Sequence, residues 1–294
     1  MVFPMTTGKQ IIWNCRGREV VCGQKTLIMG ILNATPDSFS DGGKFLAAEK
    51  AVARGLEMVA EGADIIDIGG ESTRPGAKPV PAAEEMARTV PVIKKLREKT
   101  GALISIDTRK AEVARAAIAA GADIINDISA LSDSGMAAVA AETGAGLVLM
   151  HMLGTPETMQ NNPKYADVVS EVRTFLEERS ALAVSRGVAP EQIALDPGIG
   201  FGKTDEHNLA LLNHIPALAA SGRPVLIGVS RKGFIGRLTG KEISDRLAGS
   251  LAVAAFSILH GAHILRVHDV KDSCDAARLV DKLRVQGTQD GLVA

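Results

Sequence analysis

The sequence is poor in aromatic residues, which make up 3% of its 294 residues, although 46% of them are hydrophobic. A core of this composition has to be built from Val, Ile, Leu and Ala. This suits a buried parallel sheet covered by helices, whose strands are continuous aliphatic runs. The same shortage disfavours a surface on which nucleic-acid bases stack. We therefore expect an α/β protein and no nucleic-acid partner.

Charge of one sign is also lacking. The chain has 33 basic and 34 acidic residues, for a formal net charge of −1, and no basic stripe or acidic tail stands out. This balance excludes general binding of polyanions, but it leaves room for one small phosphate site.

Cysteine is scarce, and long hydrophobic runs are missing. Cys15, Cys22 and Cys274 form no CxxC pair. Although Cys15 and Cys22 could meet across a hairpin, we predict reduced thiols. The N-terminus does not resemble a signal peptide. The longest apolar-rich stretch, Leu247–Leu259, is broken by glycine and serine and is too short to span a bilayer. We expect a cytoplasmic protein without a membrane partner.

Short aliphatic runs that end in polar or glycine-rich clusters recur along the chain. The eight runs lie at 27–32, 64–68, 103–106, 123–125, 146–150, 193–195, 225–229 and 264–267. Each is followed by a helical pattern, at 45–61, 82–99, 110–120, 135–142, 167–186, 206–220, 245–260 and 270–282. Eight such units predict a (β/α)8 TIM barrel rather than an open doubly wound sheet. We predict a single domain over residues 1–294, with the barrel at 26–284.

The segment before the first unit has a different pattern. Residues 10–23 predict two short strands around Arg16, Gly17 and Arg18, which form a β-hairpin within the N-terminal segment 1–25. We expect this hairpin to plug the barrel bottom. At the other end, residues 285–294 are predicted to be a loose tail.

Polar side chains follow all eight runs, at the end of the barrel where active sites lie. Asp107, Asn126 and Asp196 end three different strands. Each could simply cap the following helix. Together, two carboxylates and an amide also match the donors and acceptors on the 2-amino-4-oxo edge of a pterin.

Cations follow the last two strands. Arg231 and Lys232 could be a solvated basic pair, but Arg266 and His268 follow at the next strand end. Cations at neighbouring strand ends suit a phosphate group, and barrel phosphate sites are often found there.

Three other patterns predict less. The segment 198–204 is not a P-loop because Pro197 stands where that motif needs glycine, although Phe201 is a plausible apolar wall. His260 and His263 straddle a helix end and a strand start, so we expect no metal pair there. His151 is predicted to be structural. The polar loops 33–43 and 70–80 are longer than usual and are either solvent loops or lids.

Seven segments taken together resemble dihydropteroate synthase, in the order in which that family has them. They are Asn-Ala-Thr-Pro-Asp-Ser-Phe-Ser-Asp-Gly-Gly at 33–43, Gly-Gly-Glu-Ser-Thr-Arg-Pro-Gly at 69–76, Ile-Asp-Thr-Arg-Lys at 106–110, Asn-Asp-Ile-Ser at 126–129, Leu-Asp-Pro-Gly-Ile-Gly-Phe-Gly-Lys at 195–203, Ser-Arg-Lys at 230–232 and Arg-Val-His-Asp at 266–269. The first two are long and specific, and the resemblance covers nearly the whole chain.

The resemblance implies a reaction. It condenses 6-hydroxymethyl-7,8-dihydropterin diphosphate with 4-aminobenzoate to give 7,8-dihydropteroate and diphosphate in folate biosynthesis. It also implies Mg²⁺ as cofactor, a homodimer with the small-residue face of 247–260 as a reasonable surface, and a sulfonamide target.

The resemblance also implies residue roles. The pterin would contact Asp107, Asn126, Ile128, Asp196, Phe201 and Lys232, the diphosphate Thr73, Arg266 and His268, and Mg²⁺ Asn33. The 4-aminobenzoate pocket would comprise Phe39, Arg74, Pro75, Arg231 and Gly233. Catalysis would fall to Asp107, Lys232, Asp37 and Asp41.

One position departs from the family. Many members have, directly after Ser-Arg-Lys, a serine that touches the 4-aminobenzoate carboxylate, and here this residue is Gly233. Backbone N–H groups of the following helix could still meet the carboxylate. Three alternatives stay open: a methyltetrahydrofolate-dependent methyltransferase relative, a non-catalytic pterin-binding paralogue, and an unrelated phosphate-binding barrel enzyme.

Overall fold

The fold is known from a computed structural model, which describes residues 10–34, 44–74 and 76–289. The chain begins with an antiparallel hairpin of β1 (Ile11–Cys15) and β2 (Arg18–Cys22). Eight parallel strands follow: β3 (Leu27–Asn33), β4 (Ile65–Gly69), β5 (Leu103–Asp107), β6 (Ile124–Asp127), β7 (Gly146–Met150), β8 (Ile193–Asp196), β9 (Leu226–Ile227) and β10 (Ile264–Val267).

The eight parallel strands form a barrel, as the sequence predicts. Their hydrogen-bonded order is β8-β7-β6-β5-β4-β3-β10-β9. The two ends of this sheet meet where Leu195 pairs with Val225 and the Leu195 N–H donates to the carbonyl oxygen of Pro224 at 2.8 Å. Every residue of β4, β5 and β7 is buried, because side chains on one face fill the barrel while those on the other meet helices. This explains the unbroken aliphatic runs.

The helices alternate with the strands. They are α1 (Lys44–Glu61), α2 (Ala82–Lys99), α3 (Ala111–Ala120), α4 (Met136–Thr143), α5 (Val168–Ser185), α6 (Asp205–Asn213), α7 (Ile215–Ala219), α8 (Gly233–Thr239), α9 (Leu247–Leu259) and α10 (Val270–Gln289). Within the described ranges, none of them is both long and apolar enough to cross a membrane.

Three helix predictions differ from the structure. The single helix predicted at 206–220 is divided at His214 into α6 and α7, since Pro216 cannot donate the backbone hydrogen bond that would continue α6. The short helix α8 was not predicted, because its seven residues include two glycines. Helix α10 continues to Gln289, beyond the predicted end at 282, so the proposed tail boundary at 285 lies inside it.

The hairpin closes the bottom of the barrel, as predicted. Arg16 (φ 56°) and Gly17 (φ 76°) form its two-residue turn, where both central residues need positive φ. Trp13 is fully buried and donates from Nε1 to the carbonyl oxygen of Gln192 at 2.7 Å. Cys15 and Cys22 are free thiols packed beside it. The register places Cys15 opposite Arg18, so the two cysteines do not face each other.

Candidate active site

The carboxyl ends of the barrel strands bring buried polar side chains together, as expected from the sequence. Asp107 ends β5, Asn126 lies on β6 and Asp196 ends β8, and their side chains are between 2% and 6% exposed. Arg266 on β10 joins them. Side chains that are buried at strand ends inside a barrel face one shared pocket, so this is the candidate site.

A carboxylate that the sequence analysis did not single out lies at the centre of this group. Asp67 on β4 is fully buried, and its Oδ2 accepts from Arg266 Nε at 2.7 Å and from Asn126 Nδ2 at 3.1 Å. Arg266 Nη2 donates to Asp107 Oδ2 at 2.6 Å. The signal that could have found Asp67 was a carboxylate in the middle of an aliphatic strand, where burial requires a partner.

Two carboxylate oxygens of this group are buried without a hydrogen-bond partner among the described residues. They are Asp67 Oδ1 and Asp107 Oδ1. An unsatisfied buried acceptor is costly, and it is stabilised by a ligand that supplies N–H donors. The pocket therefore fits a donor-rich heterocycle edge.

Burial shifts the ionisation of the strand-end groups. It raises the pKa of Asp107 to about 7, against the opposing effect of Arg266 and with a further upward contribution from Asp67. It also raises the pKa of Asp196. Burial and the neighbouring Arg266 lower the pKa of Lys232 to about 8. Perturbed ionisation of this kind is typical of functional sites.

Lys232 lies against the apolar wall predicted from the sequence. Its Nζ is 3.9 Å from the centroid of the Phe201 ring, within the range of a cation–π contact. A side chain at Gly200, which has φ 83°, would approach Lys232 Cδ to 3.2 Å. The glycine therefore lets the lysine pass close to the loop. Ile128, predicted to contact the pterin, is buried after β6.

A buried lysine that the sequence analysis overlooked holds the loop that carries Phe201. Lys203 is 2% exposed, and its Nζ lies 2.9 Å from the carbonyl oxygen of Phe201 and 2.9 Å from His151 Nδ1. Burial and Lys203 lower the pKa of His151 to about 3, and burial lowers the pKa of Lys203 to about 7. The neutral imidazole thus accepts from the lysine, in a structural role.

The cations predicted at the last two strands take different partners. Arg231, which has φ 55°, donates from Nε to Asp269 Oδ2 at 2.9 Å. His268 Nδ1 lies 3.1 Å from Ser230 Oγ. Burial, Arg266 and Arg231 lower the pKa of His268 to about 4. At neutral pH this histidine is therefore a neutral hydrogen-bonding group at the mouth of the barrel.

Glu71, at the start of the loop after β4, holds both ends of this loop. Glu71 Oε2 accepts from the Val80 N–H at 2.9 Å and from Lys110 Nζ at 2.6 Å, while Arg109 bonds the other oxygen at 3.1 Å. Lys110 also pairs with the buried Glu85 at 2.5 Å. The basic residues that follow Asp107 in its motif therefore hold this loop.

The remaining predicted positions are distributed around the mouth. Thr73 is half-buried and Arg74 is exposed on the fastened loop. Asn33 ends β3 opposite Gly69 and is partly exposed. Gly233 is exposed at the start of α8. Asp37, Phe39, Asp41 and Pro75 lie outside the described residues.

Sequence and structure comparisons agree with this geometry. A family model for pterin-binding enzymes matches residues 29–268. The dihydropteroate synthase of Synechocystis is 49% identical over 263 residues, which cover 89% of this chain and 91% of that protein. The chain belongs to the dihydropteroate synthase family.

Solved members of the dihydropteroate synthase family share the fold. The enzyme of Xanthomonas albilineans with 4-aminobenzoic acid has a TM-score of 0.88 at 46% identity, covering 94% of this chain and 99% of that one. The same enzyme in complex with 7,8-dihydropteroate has a TM-score of 0.84 at 44% identity, covering 93% and 98%. The family match contains the whole polar network from Asp67 to Arg266.

Proposed function

We propose that the chain condenses 6-hydroxymethyl-7,8-dihydropterin diphosphate with 4-aminobenzoate to form 7,8-dihydropteroate and diphosphate. The observation that carries this proposal is the buried polar group at the ends of β5, β6 and β8, where the Oδ1 atom of Asp107 has no partner among the described residues. Complexes of the Xanthomonas relative with 4-aminobenzoic acid and with 7,8-dihydropteroate support the same substrate and product.

The pterin would lie in the barrel mouth between the carboxylates and Lys232. Asp107 and Asp196 accept from its amino and ring N–H groups, and Asn126 supplies an amide. Phe201, 3.9 Å from Lys232 Nζ, gives the pocket an apolar side. Because these groups are buried, an analogue that leaves one of them unpaired would bind much more weakly.

The reaction needs little covalent help from the protein. The bond between the pterin methylene and the diphosphate oxygen breaks, and the positive charge spreads into the dihydropterin ring. The aniline nitrogen of 4-aminobenzoate then forms the new C–N bond and loses a proton to water. The negative charge of Asp107 stabilises the cation electrostatically, and the burial of this carboxylate strengthens the effect.

The diphosphate would leave towards the mouth, where Thr73 and His268 offer hydrogen bonds and Arg266 supplies charge. Asn33, at the end of β3, provides one neutral amide oxygen. Mg²⁺ usually keeps several waters and binds substrate phosphates together with one or two protein ligands, so this donor fits it. When bound there, Mg²⁺ would neutralise charge on the leaving diphosphate. Among the described residues no three His, Cys, Asp or Glu side chains form a metal site of their own.

The 4-aminobenzoate would lie between Phe201, Arg74 and the start of α8. Arg231 is already paired with Asp269, so its positive charge would be only partly available to the substrate carboxylate. Gly233 offers no side chain, which leaves backbone N–H groups of α8 to meet the substrate carboxylate.

We also propose that the chain forms a homodimer in the cytoplasm. Helix α9 exposes Ala248, Ala252 and Leu259, and the neighbouring α10 exposes Leu279 and Leu283 at 63% and 57%. An apolar surface of this kind is expected to be covered by a second copy. Sedimentation equilibrium should give twice the chain mass, and Leu279→Glu combined with Leu283→Glu should give a monomer.

A turnover assay tests the proposed activity. Purified protein, the pterin diphosphate, 4-aminobenzoate and Mg²⁺ should yield dihydropteroate by mass spectrometry, and the product should disappear without Mg²⁺ and in Lys232→Ala. Pterin binding without any product would contradict the proposal in favour of a non-catalytic paralogue. Methyl transfer from methyltetrahydrofolate would contradict it in favour of a methyltransferase.

A further inference from the structure

Asp67 is the most deeply buried carboxylate of the site, and no step of the proposed reaction uses it. Its Oδ2 accepts from both Arg266 Nε (2.7 Å) and Asn126 Nδ2 (3.1 Å). We propose that Asp67 is a positioning residue that orients the Asn126 amide and the Arg266 guanidinium so that Asn126 and Asp107 both present acceptors to the pterin. This inference rests on the proposed function of the site.

The orientation of the Asn126 amide follows from its neighbour. An ionised carboxylate can only accept hydrogen bonds, so Asn126 turns its NH₂ group to Asp67. The carbonyl oxygen Oδ1 is then on the opposite side of the amide. A pterin edge rich in N–H groups needs an acceptor there. With the amide reversed, the Asn126 NH₂ group would face an N–H group of the pterin, and both donors would be left without a partner in a buried site.

The guanidinium of Arg266 is divided between two carboxylates. Nε donates to Asp67, while Nη2 donates to Asp107 Oδ2 at 2.6 Å. A guanidinium without this second partner favours a bidentate pair with one carboxylate. By holding Nε, Asp67 prevents Arg266 from taking both oxygens of Asp107. The buried Oδ1 of Asp107, which has no partner within the described part of the chain, stays available to the ligand.

Asp67→Leu tests the amide argument with a side chain of similar length. It removes Oδ2, the oxygen that accepts from both Arg266 Nε and Asn126 Nδ2, so the Asn126 amide is no longer held in one orientation. We expect the Kd for 6-hydroxymethyl-7,8-dihydropterin diphosphate, measured by calorimetry, to rise on the order of 10- to 100-fold. The thermal unfolding temperature shows that the variant is folded.

Ser105→Ala is the matched control. Ser105 lies opposite Asp67 on the neighbouring strand β5, is fully buried, and its Oγ has no hydrogen-bond partner among the described residues. Its substitution removes a polar atom from the same layer of the barrel without touching the Asp67 contacts. We expect unchanged pterin affinity and turnover.

Asp67→Asn provides a rescue. Its carbonyl oxygen can take the place of Oδ2, so a neutral side chain again accepts from both Arg266 Nε and Asn126 Nδ2. We expect its Kd for the pterin diphosphate to lie well below that of Asp67→Leu, and an equal Kd in the two folded variants would overturn the inference. If Asp67→Leu does not fold, the pH profile of Asp67→Asn decides the question.

A pH profile separates positioning from a general loss of structure. Asp107 is faced by Arg266, Lys232, Asp67, Glu71 and Glu85. Neutralising Asp67 removes a negative neighbour of Asp107, so the acid limb of kcat/KM should move to lower pH in Asp67→Asn. Wild-type affinity in a folded Asp67→Leu, or an unmoved limb in Asp67→Asn, would overturn the inference alone. A wild-type protein that neither binds nor converts the pterin would overturn the proposed function, and this inference with it.

Discussion

Arg266 Nη2 lies 2.6 Å from Asp107 Oδ2, although their strands β10 and β5 are separated in the sheet by β3 and β4. The contact therefore crosses the interior of the barrel. It links the strand end assigned to the pterin with the one assigned to the diphosphate. During the proposed reaction, positive charge develops on the pterin ring near Asp107 and negative charge on the diphosphate near Arg266. This ion pair therefore interacts with both charges.

Asp107→Asn is expected to keep the fold and to lower turnover on the order of 100-fold or more, since the amide cannot balance the positive charge on the pterin ring. Steady-state kcat and the thermal unfolding temperature are the measurements. Asp127→Asn is not a suitable control because that carboxylate holds the backbone after β6. Asp275→Asn is a suitable control, because Asp275 is exposed on α10. A folded Asp107→Asn with near wild-type turnover would contradict the assigned role.

The activity should fall in acid because of the same residue. Burial raises the pKa of Asp107 to about 7, so the carboxylate is ionised above that pH and protonated below it. Pterin binding and cation stabilisation both need the ionised form. The profile of kcat/KM reports the free enzyme, and it should show an acid limb with a midpoint near this pKa, falling about tenfold per pH unit below it. A kcat/KM that does not change between about pH 5 and 8 would contradict the assignment.

Glu71→Gln should weaken the loop that carries Thr73 and Arg74. Glu71 closes this loop by accepting from the Val80 N–H and pairing with Lys110, both at less than 3 Å (2.9 and 2.6 Å). Loss of the charge leaves Lys110 Nζ with Glu85 as its one carboxylate partner among the described residues. We expect KM for the pterin diphosphate to rise more than kcat falls, in initial-rate kinetics.

Glu98→Gln is the matched control for this loop. Glu98 is exposed near the C-terminal end of α2, whereas the loop after β4 precedes the N-terminal end of that helix. The control should leave both constants unchanged. Equal changes in the two variants would show that the effect is a general one of charge and not of loop closure.

The architecture could be predicted because its physical causes are local. Buried parallel strands need aliphatic side chains on both faces, and their polar ends all open into one mouth, so Asp107, Asn126 and Asp196 could be grouped without coordinates. The division of the last helix before β9 also had a local signal in Pro216.

The choice of partners could not be predicted, because it depends on contacts across the barrel. Arg266 was assigned to the diphosphate, and nothing in its own segment indicated that Asp67, 199 residues away, would bind its Nε. Lys203 looked like the end of a glycine loop, and its burial against His151 needs the fold. Single strands define which polar groups reach the site, and the closed barrel defines which of them meet.

Gly233→Ser should strengthen the binding of 4-aminobenzoate. Gly233 is exposed at the first position of α8, and an added Cβ meets only the flexible end of Arg237, at 3.0 Å. The serine hydroxyl could donate to the substrate carboxylate, a contact to a charged group worth about 1.5–3 kcal/mol. We expect a lower KM for 4-aminobenzoate and stronger inhibition by a sulfonamide, with the KM for the pterin unchanged. Gly233→Ala, which adds the carbon without the hydroxyl, is the control and should show neither gain.

Lys203→Met should change how stability depends on pH. Burial lowers the pKa of Lys203 to about 7, whereas the ordinary value for lysine is roughly 10.4. Between these two pH values Lys203 is protonated in the unfolded chain and neutral in the folded protein, so the unfolded chain binds one more proton. The free energy of unfolding that this residue contributes is therefore greatest above the unfolded pKa and decreases as the pH falls towards the folded pKa. Wild-type stability should therefore rise from pH 7 to 9, by on the order of 1 kcal/mol per pH unit from this group.

Urea unfolding of wild type and Lys203→Met at both pH values measures this difference. Lys232, whose pKa is also lowered, to about 8, contributes in the same direction in both proteins, so the comparison isolates Lys203. The variant should show a smaller rise, because methionine fills the space without a titrating amine. It also loses the bond to the carbonyl oxygen of Phe201, so KM for the pterin should increase. An equal rise in both proteins would mean that Lys203 is solvated and charged, and that the Phe201 loop is held by other contacts.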